Sequence, residues 1–301
     1  MLKKRHILWC IHTYAIVCFG SSVEMRFGIG PAWHNFFSYE EYVLTQEGFD
    51  AGFVPAEEIK TRYDLMPYFE GRMRGYFGNH YHMQMIAGGG FFTKNVAQIT
   101  EYLGIIPAES IPGESDPLFS GSIVTLDINN GCEFFLGSSC FALNPLVGYV
   151  YNQQHLKFKF LNLTQNYAIA NRWQGPYIGL EASLNYSSLL LRTFYKWVPG
   201  KLHVRFRAHV LYNPEAVGQS SNAPFSYCTT SMFGNLFGME GSYMILPSWR
   251  LGTSFMYEHY ANRKFAPVTS VPARTDFFSA VRFDDVIWNQ IVWLFFVEHS
   301  F

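Results

Sequence analysis

Between Val23 and His34 the chain alternates apolar and polar residues almost one by one. Val23, Met25, Phe27, Ile29 and Trp33 make one set; Glu24, Arg26, Gly28, Gly30 and His34 make the other. Successive side chains of a strand point to opposite faces, so this stretch predicts a strand with one greasy and one polar face. The pattern returns along the chain. Leu65, Phe69, Met73 and Phe77 oppose Asp64, Tyr68, Glu70, Arg72 and Arg74. Val124, Leu126 and Ile128 oppose Thr125, Asp127 and Asn129, with Phe134 and Glu133 continuing the two sets. Ile178, Leu180, Ala182, Leu184 and Tyr186 oppose Gly179, Glu181, Ser183 and Asn185. In 202–212, Leu202, Val204, Phe206, Ala208 and Val210 oppose His203, Arg205, Arg207 and His209.

Ten strands are predicted, at 23–34, 63–77, 80–92, 121–136, 141–158, 176–196, 202–212, 233–245, 249–262 and 284–301. Gly78-Asn79 is a two-residue hairpin signal. A phase slip at Ser187-Ser188 reads as a bulge. Val286–Val297 is apolar enough that periodicity alone also allows a buried helix. Short connections at 78–79, 137–140, 198–201 and 246–248 alternate with long ones at 35–62, 93–120, 159–175, 213–232 and 263–283. Tight turns on one side and long loops on the other, with an even strand number, are the layout of an outer-membrane barrel. Lipid cannot satisfy a free backbone N–H or C=O, so a spanning sheet must close on itself. The expected fold is all-β: a transmembrane antiparallel up-and-down barrel with short periplasmic turns and long external loops. A soluble exported sandwich also alternates. Strands of twelve or more residues, greasy faces rich in aromatics and an aromatic chain end at Phe301 favour the barrel.

The first residues read as an address. Lys3, Lys4 and Arg5 precede the apolar run 7–20, and Gly20, Ser21 and Ser22 offer a small-residue cleavage site. The expected division is a signal peptide over 1–22 and a barrel domain over 23–301. Cleavage would remove three cations, leaving 19 basic against 23 acidic residues, net −4. With no long Lys/Arg run, nucleic acid is not an expected partner. Cys132, Cys140 and Cys228 would remain, an odd number; Cys132 and Cys140 are near enough in sequence to meet across a hairpin.

Trp173, Gly175, Pro176 and Gly179, within NRWQGPYIGLEASLNY, together with NPLVGYVY at 144–151, resemble the outer-membrane barrel proteins of chlamydia-related bacteria. That resemblance implies an exported barrel with no assigned reaction, located in the outer membrane. The layout of ten strands and five loops is also similar to the omptin proteases, whose chemistry uses an Asp pair and an Asp-x-His dyad. No Asp-x-His occurs here; the nearest likeness is Glu258-His259-Tyr260, with Tyr257 where the dyad's Asp would stand.

The polar faces suggest what fills the barrel. Glu70, Arg72, Arg74, Asp127, Glu133, Glu181, Arg205 and Arg207 are expected to form a charge ladder in the lumen, because buried charges must be paired. A barrel of this strand number is then filled rather than open. His80 and His82, and His203 and His209, are expected on lumen faces as polar lining; His80 and His82 alone are too few for a metal centre. Gly88-Gly89-Gly90 precedes no helix and reads as strand glycines relieving crowding. No phosphate loop, dinucleotide fingerprint or nucleophile elbow is present. The expectation is no catalytic residue, no metal and no cofactor. Partners are outer-membrane lipid, with small polar solutes or surface ligands at the long loops. The leading function is structural or surface-interacting with a largely plugged lumen; a narrow porin-like conduit and an omptin-like surface protease are the alternatives.

Overall fold

The computed structural model describes the backbone of residues 22–46, 49–61, 64–78, 80–103, 106–107, 118–136, 140–159, 165–210, 224–262, 269–270 and 278–301. Side chains are described over 22–37, 65–91 apart from 79, 120–157 apart from 137–139, 168–204, 229–262 and 286–301. The proposed signal peptide, residues 1–21 of it, lies outside the described residues.

Every described element is a strand: β1 (Ser22–Gln46), β2 (Phe49–Thr61), β3 (Asp64–Phe77), β4 (Tyr81–Leu103), β5 (Ile106–Pro107), β6 (Leu118–Cys132), β7 (Phe134–Phe135), β8 (Phe141–Lys159), β9 (Gln165–Tyr186), β10 (Leu189–Val210), β11 (Pro224–Leu246), β12 (Trp249–Asn262), β13 (Thr269–Ser270) and β14 (Phe278–Ser300). Ten of them run β1-β3-β4-β6-β8-β9-β10-β11-β12-β14 and close by β14 pairing back onto β1 from Glu24↔Ser300 to Leu44↔Phe278. All pairings are antiparallel. The upper half of β1 pairs with β2, and its lower half with β3. The segment Val286–Val297 lies in β14 and is strand, not helix.

Outward faces are apolar in a belt. Ile178, Phe27 and Phe295 are 60%, 58% and 58% exposed. Tyr81, Tyr186, Tyr243, Trp249 and Phe301 stand exposed near the turns and termini, as an interfacial girdle does. At the chain end His299 packs edge-on between Trp249 and Phe301, with ring centroids 4.4 and 4.3 Å away.

Two boundaries differ from the sequence expectation. The hairpin between β9 and β10 turns at Ser187-Ser188, with Ser187 at φ 54°, and not at 198–201. The expected bulge is the turn itself, hidden because no Gly or Asn marks the left-handed position. Pro199-Gly200, expected to be that turn, lies inside β10. It stands opposite Gly175-Pro176 of β9, between the rungs Trp197↔Ile178 and Lys201↔Gln174. Two prolines donate no ladder bonds there. A Cβ on Gly175 would come within 2.5 Å of Pro199 O and 2.6 Å of Gly200 Cα, so this close approach requires glycine. The second difference is length. β1 with β2, β4 and β11 run far into stretches expected to be loops.

That length inverts the sense of the alternation. A tilted strand climbs about 2.5 Å per residue, so an apolar band of about 25 Å is crossed in roughly ten residues. On β10 this reaches from Leu189 to Val198. Above it the outside is water. Leu202 and Val204 accordingly point inward, 0% and 2% exposed, while Lys201 is exposed. This corrects the expectation that His203 faces the lumen, which would have turned Val204 outward. His203 is half-buried on the outer face, contacting Gln174 and Thr229 on the neighbouring strands, and not in the lumen.

Candidate functional site

The lumen has two layers. The lower one, nearest the turns and termini, is a network of ion pairs. Arg26 reaches across from β1, donating to Glu70 Oε1 at 2.7 Å and to Glu240 Oε2 at 2.6 Å. Arg72 donates to the same Glu240 oxygen at 2.8 Å. Arg192 lies 3.3 Å from Glu240 Oε1 and 3.4 Å from Glu24 Oε2. Arg74 forks onto Glu181 at 2.8 and 3.1 Å and gives its Nε–H to Gln84 Oε1 at 2.8 Å. Asn144 also donates to Glu181, at 3.2 Å. Lys196 pairs with Asp127, which accepts a further bond from Tyr177 at 2.6 Å. The guanidinium of Arg26 also sits 4.0 Å above the Phe296 ring. These charges are buried, Arg74 at 1% exposure. Charge-assisted bonds of this kind fix geometry, and breaking one partner away in a sealed site is costly.

The structure therefore brings Glu70, Arg72, Arg74, Asp127 and Glu181 to the inward face, in ion pairs. Glu133 makes none of the described ion pairs; it is half-buried between β6 and β7, with its backbone bonded to His80. Arg205 and Arg207 lie on β10 opposite Ala170 and Ala168; their side chains fall outside the described ones. Arg26, Glu24, Arg192, Lys196, Glu240 and Glu298 also belong to the described network. Arg26 was visible on a polar strand face. Arg192 and Lys196 were obscured, because the misplaced turn broke the pattern around them; Glu240 was obscured because it shares the inward face of β11 with Leu236 and Gly238.

The upper layer is aromatic. Tyr260 stacks on Trp288 at 5.1 Å, and Trp173 closes the triangle at 5.6 and 6.1 Å. Leu202, Val204, Ile169, Leu156 and Val286 pack in the same buried cluster. The Trp173 of the Trp-x-Gly-Pro motif is thus a filler of the lumen, on the same inward face of β9 as Asn171 and Tyr177.

Between the layers sits a polar belt. Glu258 is 1% exposed and accepts from Asn152 at 3.2 Å; no cation pairs with it among the described residues. Gln290 lies beside it, cross-strand from both Glu258 and His34. The two amide atoms of Gln290, the Trp173 and Trp288 indole nitrogens and Asn171 Oδ1 are buried with no hydrogen-bond partner in the described protein. Gln154 bridges to His34 at 2.7 Å and accepts from Asn171 at 3.1 Å.

The pair resembling a protease dyad separates here. Glu258 points inward, while His259 lies on the other face, bonded through Nδ1 to Asn289 at 2.7 Å. His80 is exposed at a turn and His82 is buried beside Asn144. Among the described residues no cluster of three His, Cys, Asp or Glu is set to hold a metal. Cys132 and Cys140 are free thiols.

A closed ten-strand barrel with an apolar outer belt, an aromatic girdle and a charged interior defines an integral outer-membrane β-barrel protein. The chain matches the model of the family described as Protochlamydia outer membrane protein over residues 115–301 and belongs to that family. Its fold is similar to the outer membrane protease OmpT of Escherichia coli, at 11% identity and TM-score 0.69, covering 94% of this chain and 98% of that one. The translocator domain of the autotransporter NalP from Neisseria meningitidis also aligns, at 9% identity and TM-score 0.38, over 99% and 96% of the two chains. None of the curated proteins compared with it matches the chain.

Proposed function

We propose that this barrel is a non-catalytic element of the outer membrane, structural or surface-interacting, with a lumen closed to solutes. One observation carries the reading: Arg26 ties Glu70 and Glu240 together across the interior, and Arg72 and Arg192 converge on the same Glu240. A permanent aqueous pore would leave such charges solvated and apart. The Trp173–Tyr260–Trp288 layer supports the same reading from above. Surface ligands would meet the loops at the end opposite the termini, and lipid the apolar belt.

The test is conductance in a planar bilayer. The native barrel is expected to be nearly silent, and Arg72→Ser with Arg74→Ser to admit small ions. A large, steady wild-type conductance that these substitutions only retune would overturn the plug and leave a selectivity lining.

A narrow conduit for small polar solutes is the second reading. It is favoured by the unpaired polar atoms of Gln290, Asn171, Trp173 and Trp288 in the middle of the lumen, groups that suit water or hydroxyls. The omptin-like protease reading would need a carboxylate and an imidazole on one face. Peptide cleavage by intact cells, lost on Glu258→Gln, would establish it; none is expected.

A further inference from the structure

The ion-pair network leaves one buried acid of the described lumen out. Glu70, Asp127, Glu181, Glu240 and Glu298 each have a cation within 3.9 Å. Glu258 is 1% exposed and has none among the described residues. The register explains the difference. Glu258 stands opposite Leu236, and Leu236 opposite Lys196, but Lys196 is turned to Asp127. A carboxylate sealed from water needs a compensating charge.

Oxygen gathers around Glu258. Asn152 Nδ2 donates to Glu258 Oε2 at 3.2 Å and to Tyr260 Oη at 3.0 Å, so both oxygens are held around one amide. The other end of that amide, Asn152 Oδ1, accepts from Thr125, which fixes its orientation. Gln290, 0% exposed, stands directly cross-strand from Glu258 on the inward face. Opposed side chains of such a pair start about 4.5–5.5 Å apart at Cβ, within reach of one shared ligand. Both amide atoms of Gln290 are buried without a protein partner, the carbonyl oxygen included. A carboxylate and an amide carbonyl side by side are ligands that hard cations take.

Charge and shape select the cation. One carboxylate is unmatched, so one positive charge neutralises the site and a divalent ion would leave a surplus. The next inward rung, Tyr260 against Trp288, is stacked at 5.1 Å, so an organic amine would have to break that stack.

We propose that Glu258 and Gln290 form a binding site for one alkali cation, sodium or potassium, between the two layers of the lumen. The site goes beyond the closed-lumen reading and does not rest on it: a sealed barrel would hold the ion, and an open one would exchange it.

The test uses the full exported chain, purified in detergent and dialysed into N-methylglucamine chloride. Its thermal midpoint is followed as NaCl or KCl replaces that salt at constant ionic strength. An ion that binds only the folded barrel raises the midpoint, and a single site does so along a saturating curve. At a tenfold excess over the dissociation constant the wild-type rise is expected to be about 3–5 °C. Glu258→Gln keeps the shape of the side chain and removes its charge, so its midpoint should ignore the cation. Gln290→Leu keeps the carboxylate and removes the amide ligand. It should need at least five-fold more salt for half the rise, and it serves should Glu258→Gln not fold. A wild-type midpoint equal in all three salts would overturn the proposal and mean that Glu258 carries its own proton. So would a rise that never saturates, or one that Glu258→Gln retains, since either is a general effect of salt.

Discussion

Arg74 of β3 and Glu181 of β9 meet across the barrel through two bonds of 2.8 and 3.1 Å, although 107 residues separate them. Both ends are sealed, so neither charge has water to fall back on. Arg74→Leu or Glu181→Leu alone should cost about 3–5 kcal/mol, read as a lower urea midpoint in micelles. The double variant should regain most of that, since it removes both charges together. Losses that simply add would mean the two groups are not coupled.

Trp288 lies at the centre of the upper layer, 0% exposed and stacked on Tyr260. Trp288→Ala should destabilise by about 3–5 kcal/mol through the cavity it leaves. Trp288→Phe should lose less. A midpoint unchanged in Trp288→Ala would show that the layer carries no stability.

The inversion of facing on β10 is open to chemical labelling. In a background with Cys132, Cys140 and Cys228 changed to serine, His203→Cys should react with a membrane-impermeant maleimide on intact cells. Val204→Cys should stay unlabelled until the barrel is unfolded. The reverse order would place Val204 outside after all.

Leu180 and Gln174 both point outward from β9, but at different heights. Leu180 is about mid-belt, six residues above Tyr186, so Leu180→Arg should cost roughly 2–4 kcal/mol and impair assembly. Gln174 lies beyond the proline rung, where the outside is water, and Gln174→Arg should be near neutral. Equal costs at the two positions would mean that the apolar belt is taller than ten residues of strand.

Much of the site was legible in single strands. Glu70, Arg72, Arg74, Asp127 and Glu181 stand on the polar face of clean alternations, next to lipid-facing Leu65, Phe69, Val124 and Leu180. Arg192 and Lys196 were not, because Pro199-Gly200 imitates a turn and Ser187-Ser188 does not look like one; Glu240 was not, because Leu236 and Gly238 share its inward face and mask the alternation. Glycine and proline signal a turn locally, but the rung of Gly175-Pro176 against Pro199-Gly200 exists only when β9 and β10 are paired.

The sequence by itself determined the two-faced strands, their number and the closure that lipid demands, since period two is a property of neighbouring residues and an unpaired edge cannot survive in hydrocarbon. Only the tertiary structure decided which face is inside at each height and which charge meets which. Facing depends on what lies outside the wall: hydrocarbon beside Trp197, water beside His203. Partnership depends on barrel closure, which carries Arg26 to Glu240 across 214 positions of chain. No local pattern encodes that distance.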